Sequence, residues 1–314
     1  MTGCPYRKCL ENIFLCVKID MSGQPVISQG DTEMPDLSLI RSLLFTPADR
    51  PDRFAKGPAS GADGVILDLE DGVGLPAKPA ARKAALAFFT DPAAAPAGFV
   101  WALRLNHVTT QAGLEDLLAL RGARKPAVVV LPKTESVAEI DIALAHLGGD
   151  GAVQSVVALI ESGRGLVAAN EIAAHPAVAA LAFGGGDLAA DLHATLTWEP
   201  MLFARSRVVQ AAAAAGIGTW DVPYLDIHDS EGLKRETAAS KALGYTCKLA
   251  IHPAQIAPIN AVFTASANEL NRAKRIVAAF EAAHGGACQV DGKMIDAPVV
   301  KAARRTVAIA ARAA

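Results

Sequence analysis

With 314 residues, the chain is long enough for one large α/β barrel or two average domains, and its apolar majority with few aromatics suits Ala-, Val- and Leu-rich helices on buried strands. A net charge of −2 with no lysine- or arginine-rich run excludes an extended nucleic-acid or membrane-binding surface, and no apolar stretch reaches the roughly 18 residues of a bilayer span. Five cysteines at irregular spacing make neither a disulfide framework nor a C-x-x-C pair, which fits a reducing, cytoplasmic setting.

Residues 1–36 differ from the rest. The run CLENIFLCV (9–17) is apolar but interrupted by Glu11 and Asn12, and it lacks the cleavage site of a signal peptide. Residues 23–36 are polar and rich in turn formers. The segment reads as a disordered tail or an over-extended start, with Met34 as the initiator, and as dispensable for folding.

From Leu39 onward, short apolar runs alternate with alanine-rich helical segments. Strands are predicted at 41–45 (RSLLF), 64–69 (GVILDL), 100–105 (VWALRL), 127–131 (AVVVL), 156–160 (VVALI), 179–183 (AALAF), 218–222 (GTWDV) and 247–251 (CKLAI). Most are continuously apolar, as in parallel strands covered on both faces. Helices are predicted over 79–89, 114–120, 136–147, 165–174, 201–215 and 230–243, with one long helix at 254–283. The repeat predicts an α/β fold, a (β/α)8 TIM barrel over residues 37–284. A doubly wound sheet would carry a glycine loop after its first strand, where this chain reads TPADRPDRF. Residues 285–314 form a C-terminal helical extension, a candidate cap or oligomerisation segment.

Catalytic residues of such barrels lie at the carboxyl ends of the strands. Those positions hold Asp68, Glu70, Asp71, Arg104, Asn106, Lys133, Glu161, Asp187, Asp221 and His252, whereas the opposite ends hold mostly Gly, Ala and Pro. Glu161 and Asp187 follow neighbouring strands, so two carboxylates plus water and a chelating substrate could hold Mg2+, with Mn2+ as the alternative. The plainer reading is that each carboxylate caps the helix after it. Arg104 lies inside an apolar strand and must meet an anion: a substrate carboxylate or enolate oxygen, a buried Asp68 or Glu70, or both. In Gly184-Gly185-Gly186 the backbone can approach a ligand, which makes Gly185 and Gly186 candidate substrate contacts. His252 reads equally as a substrate polariser or a structural residue, and Asp291 and Asp296 as turn and helix-cap residues or as catalytic groups.

The segments RSLLFTPADRPDRFAK, GADGVILDLEDGV, LRLN, LPKTES, ALIESGRG, FGGGDLAADL, KLAIHPAQI and VDGKMIDAPVV run in order from Arg41 past Asp296. Together they resemble the citrate lyase β-subunit-like family, kin to the malyl-CoA and citramalyl-CoA lyases within the HpcH/HpaI aldolase superfamily. The resemblance implies that Glu161 and Asp187 are Mg2+ ligands and that Arg104 binds the oxo-acid carboxylate and oxyanion. It implies Glu70 as a residue that holds water beside the metal. Asp296 becomes the catalytic acid/base, delivered by a neighbouring subunit of a homotrimer or hexamer. Lys133, in LPKTES, reads as part of a structural motif, although its position also suits a nucleophile. Two departures, Gly in the run before Asp187 and Trp220 before Asp221, are expected near the mouth of the site.

The implied reaction is Mg2+-dependent cleavage or formation of the carbon–carbon bond of a CoA-thioester 3-hydroxy acid such as malyl-, citramalyl- or citryl-CoA. A 2-oxo acid is the other product, and no nucleic acid or membrane partner is expected. The alternatives are a metal-dependent pyruvate-type aldolase without CoA, and a subunit active only within a larger lyase complex.

Overall fold

The computed structural model describes residues 36–124, 126–148 and 155–312. The expected properties of residues 1–36 therefore fall outside the described residues, except at Asp36.

Eight parallel strands close into a barrel in chain order, with β1 paired to β8. They are β1 Ser42–Pro47, β2 Gly64–Asp68, β3 Val100–Arg104, β4 Val128–Leu131, β5 Ser155–Ile160, β6 Val178–Phe183, β7 Gly218–Asp221 and β8 Cys247–Ala250. Their helices are α1 Lys78–Thr90, α2 Gln111–Leu120, α3 Val137–Leu147, α4 Gly163–Ala174, α5 Gly185–Asp191, α6 Trp198–Ala215, α7 Ser230–Leu243, α8 Ile256–Phe263 and α9 Ala267–Ala282. The predicted strands are recovered within two residues at each end, because each apolar run is buried against helices outside and against other strands inside. Among the described residues no helix is long and apolar enough to cross a membrane, and Cys247 and Cys288 are free thiols.

The helix expected over 254–283 is two helices. Ser266 caps α9, accepting from the Glu269 amide at 3.3 Å, while the Glu269 carboxylate accepts from the Ser266 amide at 2.7 Å. This reciprocal cap starts a new helix where the apolar spacing had suggested continuity.

The barrel interior is filled by Leu43, Ile66, Val100, Ala102, Val130, Val157, Leu159, Ala182, Trp220 and Leu249, and Leu37 and Ile40 belong to the same buried cluster. Trp220 is fully buried, with its indole nitrogen 3.5 Å from the Leu37 carbonyl, at the amino-terminal end of the barrel. A side chain at Gly218 would come to 3.0 Å from that same carbonyl, so glycine is what lets the entering chain close the floor. The sequence had put Trp220 near the mouth. Alternation along β7 turns it inward and down, where it packs the floor instead.

Behind β7 lies a closed charge cluster. Lys248 donates to Asp221 at 2.7 Å, to Glu236 at 2.8 Å and to the Val222 carbonyl at 2.8 Å. Arg205 donates to Asp221 at 3.1 Å and is stacked between Phe183 and Trp198, 5.0 and 4.9 Å from their ring centres. Burial opposes the charge of Asp221, but Lys248 and Arg205 outweigh it and hold its carboxyl below the usual range. Asp221 thus serves the scaffold rather than the chemistry that its strand-end position had suggested.

After α9 come a hairpin, β9 Cys288–Val290 and β10 Lys293–Ile295, and the helix α10 Ala297–Arg312. Its turn residues Asp291 and Gly292 both have left-handed backbones, φ 51° and 73°, as a tight two-residue hairpin turn requires. Ile295, Val300 and Ala303 pack on Ala273 and Ile276 of α9. Arg305 donates to the Ser38 carbonyl at 2.9 Å and Arg312 to the Gly98 carbonyl at 2.6 Å, both at the amino-terminal rim.

Removing one partner of a buried charge cluster strands the others. Asp221→Ala is expected to lower the unfolding free energy by about 3–5 kcal/mol in a guanidinium titration. A loss under about 1 kcal/mol, the size of a surface pair, would contradict the scaffold role.

Candidate active site

The carboxyl ends of the strands open into a cavity of about 390 Å³ lined by Phe45, Asp68, Arg104, Glu161, Gly184 and Asp187, among others. A larger groove, about 620 Å³, lies between α7, α9 and α10; its lining carboxylate, Glu269, is committed to the α9 cap. The strand-end carboxylates Asp68, Glu161 and Asp187, with Arg104, line the smaller cavity.

Strand register sets the first pair, for Asp68 and Arg104 are opposite residues on β2 and β3. Arg104 makes a two-pronged contact with Asp68, Nε and Nη2 each 2.7 Å from a carboxylate oxygen, and its plane lies 4.8 Å from the centre of the Phe45 ring. Asp68 also accepts from the Glu70 and Gly72 amides, each at 2.9 Å, so it shapes the turn after β2 as well. Nη1 of Arg104 stands 2.8 Å from Glu70 Oε2. That is a charge contact rather than an aligned hydrogen bond, because Oε2 remains a buried acceptor with no partner. Burial disfavours the Arg104 charge, yet Asp68, Glu70 and Glu161 more than offset it and fix the guanidinium as a cation. Arg104 is thus buried on Asp68 and Glu70, the second of its sequence readings, and it lines the cavity with N–H donors to spare.

Glu161 follows β5 and is buried. It does not cap α4; Ser162 does, accepting from the Gly165 amide at 3.1 Å. Glu161 Oε2 accepts from the Lys133 backbone amide at 2.8 Å. Burial first, and the neighbouring Glu70 charge second, push its carboxyl up to about 8 against the pull of Lys133 and Arg104. Burial likewise raises Glu70, opposed by Arg104 and Lys133. Gly184 is what admits Glu161, since a Cβ there would lie 2.1 Å from Glu161 Cγ.

Asp187 sits in the first turn of α5, half exposed, and is not its capping residue. Of the candidate glycine contacts, Gly186 lines the cavity, while a Cβ on Gly185 would meet Leu196 and Phe183 instead. Gly72 and Gly184 also line the cavity.

Lys133, read from the sequence as part of a structural motif or as a nucleophile, is an ion-pair partner of three rim carboxylates. Its ammonium lies 2.5 Å from Glu70 Oε1, 2.8 Å from Asp187 Oδ2 and 3.4 Å from Asp71 Oδ2. Burial opposes this charge, but the bonds to Asp187 and Glu70 hold the ammonium well above its ordinary pKa. The available signal was its place directly after β4, the same signal that singled out Glu161.

The remaining candidates lie elsewhere. The His252 ring accepts from the Ala254 amide at 3.2 Å and caps a short turn, in keeping with its structural reading. Asp291 pairs with Arg275. Asp296 is exposed just before α10 and does not line this chain's cavity.

Against known proteins, residues 41–253 match the family model described as HpcH/HpaI aldolase/citrate lyase. The chain belongs to the HpcH/HpaI aldolase/citrate lyase family. Residues 202–312 also match a model described as a C–C bond lyase of the TIM-barrel fold. A citrate lyase subunit beta-like protein of Mycobacterium tuberculosis is 38% identical over 82% of this chain and 90% of its own length. The human mitochondrial citramalyl-CoA lyase is 33% identical over 86% of this chain and 85% of its own. The crystal structure of Mycobacterium tuberculosis CitE with magnesium, acetoacetate and coenzyme A superposes with a TM-score of 0.71 at 36% identity, covering 86% of this chain and 98% of that one. The closed eight-stranded barrel agrees with the TIM-barrel fold named for the second model.

The raised carboxyl of this lyase gives a signed pH effect. Glu161 titrates at an ordinary 4.5 when unfolded and at about 8 when folded, so the folded chain keeps a proton that the unfolded chain releases. Its contribution to stability is full below about pH 4.5 and is lost as pH rises through 8. Between pH 5.5 and 7.5, without divalent ions, the parent is expected to lose about 2 kcal/mol more unfolding free energy than Glu161→Gln. Equal slopes in the two proteins would contradict the shift.

Proposed function

We propose that this lyase uses a divalent metal, held by Glu161 and Asp187, to cleave or form the α–β carbon–carbon bond of a CoA-thioester 3-hydroxy acid. The observation that carries the reading is charge imbalance. Asp68, Glu70, Glu161 and Asp187 gather at one rim around two cations, Arg104 and Lys133, and burial, with the Glu70 charge beside it, drives Glu161 toward its protonated form. The residues present fit a hard dication. Glu161 and Asp187 are oxygen donors on adjacent strand ends, and the orphaned Glu70 Oε2 suits a water in the same shell. Among the described residues no three His, Cys, Asp or Glu side chains form a ready-made metal cluster, which agrees with two protein ligands completed by water and substrate. Mg2+ suits this donor set, with Mn2+ as the alternative.

A metal bound there supplies Lewis-acid polarisation of the substrate's hydroxyl or keto oxygen. The chain's own residues do the rest. Arg104, pinned by Asp68, turns its remaining N–H groups to the oxo-acid oxygens where negative charge develops. Glu70 holds water beside them, and Gly184 and Gly186 let the acyl group approach the backbone. In cleavage the bonding pair between the α and β carbons passes to the CoA-ester fragment as its enolate, the hydroxyl passes its proton to the water held by Glu70 as the keto group forms, and an acid protonates the enolate carbon. Asp296 has the chemistry for that last step. Since it stands outside its own chain's cavity, it acts by capping a neighbouring copy in a homotrimer or hexamer. Residues 285–314 then form the cap and residues 37–284 the catalytic barrel. The free thiols fit a reducing compartment such as the cytoplasm.

A CoA-free aldolase would have no use for Asp296, and its remote position in the single chain is what favours that second reading. One experiment separates the two. Purified enzyme with Mg2+ is offered malyl-, citramalyl-, citryl- and methylmalyl-CoA, and the release of glyoxylate, pyruvate or oxaloacetate is followed. At least one ester is expected to turn over, with a loss of at least a hundredfold on Asp187→Ala or Asp296→Ala, and with activity returning when Asp296→Ala and Arg104→Ala subunits are mixed. No turnover of any ester, with pyruvate-type aldol chemistry intact in Asp296→Ala, would overturn the CoA-ester reading.

A further inference from the structure

Lys133 has two separate attachments at the rim. Its backbone amide, on a left-handed backbone of φ 50°, holds Glu161 Oε2 at 2.8 Å. Its ammonium is shared between the β2 end, through Glu70 and Asp71, and the α5 start, through Asp187. One positive charge therefore ties together carboxylates from opposite sides of the cavity mouth.

We propose that Lys133 is an internal counter-ion for the metal-free enzyme, and that a divalent cation must displace it from Asp187 toward Glu70 and Asp71 in order to bind. This inference rests on reading Glu161 and Asp187 as the pair that holds the ion. An ammonium 2.8 Å from Asp187 Oδ2 already occupies that carboxylate as a cation would. A dication on the same carboxylate would face it at a few ångströms, a range at which like charges repel strongly even at an effective dielectric of about 20. The path out is built in. Asp71 Oδ2 lies 3.4 Å from the ammonium and is 62% exposed, so it can take a fuller share of the charge at the solvent edge. The Lys133 side chain is itself 36% exposed on a flexible stem, so the shift needs no repacking of the core. The amide stays on Glu161 throughout, because only the side chain moves. Arg104 cannot serve in this way, being buried and doubly bonded to Asp68.

Lys133 thus steadies the acidic rim of the empty enzyme and weakens its hold on the metal. Both effects can be read without turnover. Calorimetric Mg2+ titration and thermal unfolding with and without Mg2+ are run on the parent, Lys133→Met, Asp71→Asn and Asp187→Asn. Lys133→Met is expected to melt lower without metal, to bind Mg2+ roughly three- to tenfold more tightly, and to gain more in Tm from it, as suits the loss of one half-exposed ion pair and of a repelled charge. Asp71→Asn, at an exposed position, is expected to bind Mg2+ about two- to threefold more weakly, because the ammonium is then left on Asp187. Equal or weaker binding by Lys133→Met overturns the proposal, as does equal or tighter binding by Asp71→Asn. If Lys133→Met failed to fold, the Asp71 variant alone would decide. Should the parent and Asp187→Asn bind Mg2+ alike, the metal reading itself fails and this inference falls with it. Should Asp187→Asn lose binding while Lys133→Met gains none, the counter-ion alone is wrong.

Discussion

The rim of the barrel is governed by an excess of negative charge that the protein does not neutralise itself. Carboxylates removed from water need partners, and the partners here are too few. Arg104 is committed to Asp68 and Glu70, and Lys133 is divided among Glu70, Asp71 and Asp187. Glu161 receives one backbone amide, and its burial beside the Glu70 charge makes it hold a proton more tightly despite that bond. A site of this kind is stable in the folded scaffold yet poised to take a cation, and its geometry converges on the cavity.

The second charge cluster shows what balance looks like. Asp221 and Glu236 meet Lys248 and Arg205, two carboxylates to two cations. Asp221 there is held ionised rather than protonated. The cluster is tied to the cavity wall, since Lys248 holds the Val222 carbonyl and Arg205 stacks on Phe183, and both Val222 and Phe183 line the cavity. Of two charged groups on the same barrel, the balanced one supports the wall, and the unbalanced one faces the cavity.

Much of this was legible in the sequence. Continuous apolar runs mark strands buried on both faces, and reading the polar residues at or just past their carboxyl ends picked out Arg104, Glu161 and Asp187, which line one cavity. One dimension could not separate Asp221 from Glu161, because both are carboxylates at a strand end. The difference lies in Arg205 and Lys248, supplied by α6 and β8. The strand-end position of Lys133 was legible, but not its ion pairs across the mouth, because no local pattern announces a left-handed backbone there. The break between α8 and α9 was written in Ser266 and Glu269, but the apolar spacing through 254–283 masked it. Trp220 was misplaced because a large side chain on an inward strand position can fill the floor as readily as the mouth.

The central claim is that Glu161 and Asp187 together hold one divalent ion at the carboxyl end of the barrel. Anomalous diffraction from crystals soaked in Mn2+ tests it most directly. The account predicts a single strong peak within about 2.5 Å of carboxylate oxygens from both residues, with the Lys133 ammonium withdrawn from Asp187. No peak at the rim, or a peak bound elsewhere with the Lys133–Asp187 contact intact, would contradict it.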